Sequence, residues 1–260
     1  MIRSLYSART GMNGQQMQLD VISNNLANVN TAGFKKSRVQ FEDLLYQNIR
    51  AAGTQTADGG QVPTGIQVGM GVRPTSVAKI FTQGDYSETG NDLDWAIEGQ
   101  GFFQIIKNGQ EYYTRAGAFS RDSEGYIVTG NGDRLQPEFA IPQGTTTLAL
   151  DGSGNLTAID SQQNILASTQ ITLHDFINPA GLKSVGENLF METEASGAPT
   201  EGTPGSDGFG TLSQRYVETS NVNVTEELVN MIITQRAYEV NSKAIQTSDR
   251  LLEIANGLVR

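Results

Sequence analysis

From Leu5 to Val29 the apolar positions recur in alternating steps of three and four: Leu5, Ala8, Met12, Leu19, Ile22, Leu26 and Val29, with Gln15 as the one polar member of the series. This spacing lines them along one stripe of an α-helix and matches the a/d seam of a coiled coil. It predicts a helix from about Ser4 to about Val29, about 38 Å long at 1.5 Å per residue. The stop is expected at "NTAGF", where Gly33 is available for a left-handed cap. The far end of the chain repeats the pattern more softly, through Leu228, Met231, Gln235, Tyr238, Ser242, Ile245, Asp249 and Leu252. Thr225 is placed to cap that helix, with Glu226 and Glu227 on its first-turn dipole and Val224 and Val229 spaced as a hydrophobic staple. Asn223 with Glu226 forms a competing capping box.

Between the two seams the period changes. "SRVQFEDLLYQNIR", residues 37–50, reads as a short helix or turn, and residues 51–72 as an extended excursion with little core of its own. From about Asp85 short runs rich in Val, Ile, Tyr, Phe and Thr alternate with turn pairs, as in "WAIEGQGFFQIIKNGQEYYTRAG", "FSRDSEGYIVTGNGDRLQP" and "TTTLALDGSGNLTAI". That is the signature of antiparallel hairpins. Residues 188–214 begin as a strand and then become a Gly-, Pro- and Thr-rich surface loop. The expected fold class is α+β: long N- and C-terminal helices paired as a coiled-coil module around a central all-β domain, with an extended Gly-rich connecting segment. The expected divisions are a helix in 1–33, the connecting segment in 34–84, the β domain in 85–214, and a return segment with the second helix in 215–260.

The first helix carries amides where charges would be usual. Asp20 is the only ionised side chain from Thr10 to Ala32, while Asn24, Asn25 and Asn28 flank the seam. A solvated helix face normally carries more Lys and Glu, whereas Asn and Gln can donate and accept hydrogen bonds at a contact without an ionic desolvation cost. Contacts between subunits are therefore expected through Leu5, Ala8, Met12, Leu19, Ile22, Asn24, Asn25, Leu26, Asn28 and Val29. Their counterparts on the second helix are Leu228, Met231, Gln235, Tyr238, Ile245 and Leu252.

Composition narrows the partners. The 28 acidic residues against 18 basic ones give a net charge of −10 with the basic residues scattered singly, which argues against nucleic acid. With no cysteine, thiol nucleophiles, Cys-based zinc sites and disulfides are excluded together. The N-terminal stretch carries Arg3 and Arg9 but no continuous apolar run, so it does not read as a secretory signal peptide. If the protein leaves the cytoplasm, the expected route is one that reads no cleavable signal.

Candidate chemistry is sparse. The single histidine, His174, stands beside Asp175, the smallest unit of general-base chemistry, but no nucleophile motif or second metal ligand accompanies it. Gly65, Gly69 and Gly71 fit neither G-x-G-x-x-G nor a Walker loop, and "DGSGN" at 151–155 lacks the distal Glu of a calcium loop. The sequons at Asn155 and Asn223 are short enough to arise by chance. No catalytic, cofactor or metal residue is assigned. A small β-rich enzyme or ligand-binding protein using His174 and the glycine loops is the contrary reading.

"LDVISNNLANVNTAGFKKSRVQFEDLLYQ" near the start and "YVETSNVNVTEELVNMIITQRAYEVNSKAIQTSDRLLE" near the end resemble the paired signatures of the flagellar rod and hook axial proteins, nearest to the distal rod branch. "GVRP", "AIEGQGFFQI", "YTRAGAF", "SVGENLF" and "SGAP" carry the resemblance inward in the same order. The longer hook proteins and the proximal rod proteins of the same family are the nearest alternatives. The resemblance implies a non-enzymatic subunit of a helical tube that acts as a torque-transmitting drive shaft, with export substrates passing through it. It implies terminal helices lining the tube, a β domain outside, and a stretch from Asn48 to about Phe81 that touches neighbours. The implied partners are further copies of the chain, proximal rod proteins, the hook protein, the peptidoglycan and outer-membrane bushing rings, and the flagellar type III export apparatus. The implied location is the basal-body rod across the periplasm.

Overall fold

The computed structural model describes residues 2–53, 63–206 and 208–257. The chain divides into two compact units: a helical unit built from residues up to Leu26, Ser37–Ala78 and the chain from Asn223 onward, and a β unit built from Ala27–Lys36 and Lys79–Val222. Each unit is thus discontinuous in sequence.

The helical unit holds α1 (Ile2–Ala27) and α2 (Val224–Gly257), with β1 (Ser37–Asp43), β2 (Tyr46–Arg50), β3 (Ile66–Gly69) and β4 (Val72–Lys79) between them in the chain. β1 pairs with β4, and β2 with β3. Residues 37–50, expected as helix or turn, are therefore two strands. The run "SRVQF" satisfies either period over so short a span, and pairing with β4 decides between them. Of the excursion at 51–72, residues 54–62 lie outside the described residues. α1 ends two residues before the expected Val29. α2 starts on Asn223, whose Oδ1 accepts from the amides of Thr225 at 3.0 Å and Glu226 at 3.2 Å. The competing cap is thus the one used, and Thr225 is inside the helix.

Gly11 and Gly14 sit inside α1, where each costs about 1 kcal/mol relative to alanine. Close approach explains both: a Cβ on Gly11 would lie 2.9 Å from the Asn241 amide nitrogen of α2, and one on Gly14 would lie 3.2 Å from the Phe41 ring of β1.

In the β unit the strands follow in order: β5 (Tyr86–Glu88), β6 (Trp95–Glu98), β7 (Phe103–Lys107), β8 (Gln110–Thr114), β9 (Phe119–Arg121), β10 (Ile127–Thr129) and β11 (Arg134–Leu135). Next come β12 (Thr145–Leu150), β13 (Asn155–Asp160), β14 (Ile165–Gln170), β15 (Leu173–Asp175), β16 (Lys183–Gly186) and β17 (Leu189–Met191). β18 (Thr200–Gly202), β19 (Thr211–Gln214) and β20 (Tyr216–Glu218) complete the set. The main sheet has seven strands in the order β16-β17-β8-β7-β11-β10-β9, and β12-β13-β14 form a second sheet. β15 pairs with β18, β6 with β19 and β5 with β20. The β7–β8 hairpin turns at Asn108-Gly109, both at positive φ, as the expected "NG" turn requires. Trp95, Ile97, Phe103, Ile105, Leu156, Ile171 and Leu173 form the centre of the core with no exposure to solvent.

Candidate assembly interface

The two terminal helices differ in what their own unit covers. On α1 the seam positions Ala8 and Ile22 are buried, and Leu5, Met12, Leu19, Leu26 and, just beyond the helix, Val29 are half-buried. On α2 Glu227 and Thr234 are buried, and with the half-buried Asn230, Ala237 and Asn241 they form a covered stripe of small or polar residues in steps of three and four. Thr234 sends its hydroxyl back to the Asn230 carbonyl at 2.7 Å, which lets it be buried without an unmet polar atom. Met231, Ile245 and Leu252 are half-buried, while Leu228, Gln235 and Tyr238 are exposed.

A second set of apolar side chains on α2 is left open. Val229, Ile232, Ile233, Val240, Leu251 and Ile254 are all between 49 and 64 % exposed. Their spacing places them on one side of the helix, away from the covered stripe. At about 25 cal/mol per Å² of apolar surface, each such side chain is worth about 1.5 kcal/mol or more on full burial. Contiguous exposed apolar surface is uncommon on a protein that works alone.

The asparagines separate into different roles. Asn25 is 1 % exposed, and its amide closes a two-bond ring with Ser37: Nδ2 donates to the Ser37 carbonyl and Oδ1 accepts from the Ser37 amide, both at 2.9 Å. Its hydrogen bonds are spent inside the subunit, joining the last turn of α1 to the first residue of β1. Asn28 accepts from the Thr31 hydroxyl at 3.2 Å in the turn after the helix, and Asn24 is exposed.

His174 is 6 % exposed, and burial pushes its imidazole below the usual range. Its ring lies 5.5 Å from Tyr113, and its backbone pairs with Phe102. Among the described residues no group of three or more His, Asp or Glu could hold a metal ion. Nor is any described helix long and apolar enough to cross a membrane.

Comparison with known proteins bears directly on these helices. Residues 5–35 match the flagella basal body rod protein model, 96–158 the flagellar hook protein FlgE/F/G D1 domain, and 213–258 the flagellar basal body rod FlgEFG protein C-terminal model. The flagellar basal-body rod protein FlgG of Buchnera aphidicola (subspecies Acyrthosiphon pisum) is 51 % identical over 255 residues, covering 97 % of this chain and 98 % of its own. FlgG of Caulobacter vibrioides is 46 % identical over 260 residues, covering 99 % of each. The chain belongs to the FlgG family. A flagellar hook-basal body complex protein of Bacillus subtilis, FlhP, is also similar, at 30 % identity over 272 residues. The matches at 5–35 and 213–258 contain most of α1 and all of α2, the elements that carry the seam and the open apolar strip.

Proposed function

We propose that the chain is a structural subunit of the flagellar distal rod, a helical homopolymer that carries torque from motor to hook. It is a structural protein of the flagellar basal body and not an enzyme, in keeping with relatives that are named flagellar basal-body rod proteins. The observation that carries the assembly reading is the strip of open aliphatic side chains on α2. A lone subunit leaves Ile232, Ile233, Val240 and Ile254 in water, whereas packed neighbours would bury them.

On this reading the α1 seam, Leu5, Ala8, Met12, Leu19, Ile22, Leu26 and Val29, pairs with the α2 positions Leu228, Met231, Gln235, Tyr238, Ile245 and Leu252 as coiled-coil contacts lining a tube. Asn24 and Asn28 serve as uncharged contacts to adjacent subunits, and Asn25 fixes the exit of α1 in its own subunit. The terminal helices order fully on assembly, since most of a helix's stability in water comes from packing. The remaining partners are proximal rod proteins, the hook protein, the bushing rings of the peptidoglycan and outer membrane, and the type III export apparatus that delivers the subunit to the periplasm. The contrary enzymatic reading gains nothing from His174, which is buried against Tyr113.

Complementation tests the proposal. In a bacterium deleted for its own distal-rod subunit, expression of this chain is expected to restore hook-basal bodies visible by electron microscopy. Secreted chain without rods beyond the proximal segment would count against it.

A further inference from the structure

The chain passes between its two units after Leu26, Lys36, Ala78 and Val222. On the β-unit side, three of these passages have their roots in one buried ionic node. Lys35, Arg115 and Glu218 are 1, 5 and 1 % exposed. Lys35 Nζ donates to Glu218 Oε1 at 2.6 Å and to the Thr82 carbonyl at 2.9 Å. Arg115 Nε donates to Glu218 Oε2 at 3.1 Å, and its Nη1 to the carbonyls of Gly99 and Gly101.

Around the node the backbone closes a ring. Gly33 N donates to the Glu218 carbonyl at 2.8 Å, Lys36 N to Asn221 Oδ1 at 2.7 Å, and Ile80 N to the Lys36 carbonyl at 2.9 Å. Asn221 Nδ2 donates in turn to the carbonyls of Ile80 and Thr82, and Gly84 N to Glu218 Oε1. Gly33, at φ 70°, is pressed so closely on the Ala116 backbone that a Cβ there would lie 2.6 Å from its nitrogen. The links are polar except at Phe34, whose ring lies beneath the Lys79 ammonium at 4.9 Å, and at Phe81, whose ring meets those of Phe102 and Phe190 edge-on at 5.5 and 5.4 Å and would leave them if residues 80–84 opened. No residue of 27–36 or 216–222 belongs to the hydrophobic clusters of the β unit.

Two consequences follow. An assembly held by a buried ion pair contributes little net stability, because desolvation offsets most of the attraction. Lys35 and Glu218 are 183 residues apart, so their contact closes a long loop that spans most of the β unit. We propose that residues 27–36 are a strap, latched by Lys35 onto Glu218, that opens and closes as one cooperative element with residues 80–84 and 218–221 while the β core stays folded. The node is then the fastening, within the β unit, of three chain passages, released together or not at all.

Native-state hydrogen exchange on the full-length chain tests this. In the wild-type protein the amides of Gly33, Lys36, Ile80 and Gly84 are expected to share one opening equilibrium, at least tenfold more populated than that of the β7–β8 ladder amides. Lys35→Met leaves Glu218 paired with Arg115, so the core is not left with an orphan anion. In that variant the four amides are expected to lose protection together by tenfold or more, with the β7–β8 amides within twofold of wild type. Independent changes at the four sites, no change, or an equal loss in the core would each overturn the strap. The wild-type measurement decides the matter even if the variant fails to fold.

Discussion

His174 is a residue whose chemistry is set by its surroundings. Burial lowers its proton affinity, while Glu201, opposite it on β18, and Glu111 pull the other way with smaller effect. The sign follows from linkage: the unfolded chain takes up a proton near the ordinary histidine pKa of about 6.5, and the folded chain resists it to lower pH. Stability of the β unit is therefore expected to be independent of this group above about pH 7 and to fall as pH drops below about 6.5, with a slope of at most about 1.4 kcal/mol per pH unit. Urea midpoints of wild type and His174→Gln between pH 7.5 and 5.5 check this; equal slopes would remove His174 from the account. The sequence supplied the absence of catalytic companions for this residue. It did not supply the burial, because Tyr113 and Phe102 come from distant strands.

At the level of elements, Asn25 joins α1 to β1. Asn25→Ala leaves the Ser37 amide and carbonyl without their partner and is expected to cost about 1–3 kcal/mol. Asn30→Ala, on an exposed side chain, is expected to stay within about 0.5 kcal/mol. Equilibrium unfolding followed by far-ultraviolet circular dichroism compares them. Helix existence and the "NG" hairpin turn were legible because periodicity and turn chemistry are local. Two things were not. Strands β1 and β2 are decided by partners in β3 and β4, beyond the reach of a 14-residue pattern. The covered stripe of α2, Glu227, Asn230, Thr234, Ala237 and Asn241, is invisible to a hydrophobicity reading, since close approach selects small and polar residues there. Gly11 against Asn241 is the same effect seen from α1.

For the whole molecule, the apolar pattern of the chain serves two masters. In the β unit it marks a core that is already complete, as Trp95 and Phe103 show with no solvent exposure. On α2 it also marks surface that the single subunit leaves open, at Val229, Ile232, Ile233, Val240, Leu251 and Ile254, a strip beside the heptad seam that the three-four spacing picks out. The absence of cysteine makes that face directly measurable. Ile233→Cys, at a position 61 % exposed in the free subunit, is to be reacted with a maleimide in the soluble chain, in purified hook-basal bodies, and in the same particles after denaturation. Rod assembly predicts rapid labelling of the free chain and of denatured particles, and shielding of the thiol in intact rods. Labelling of intact rods as rapid as that of the free chain would contradict it.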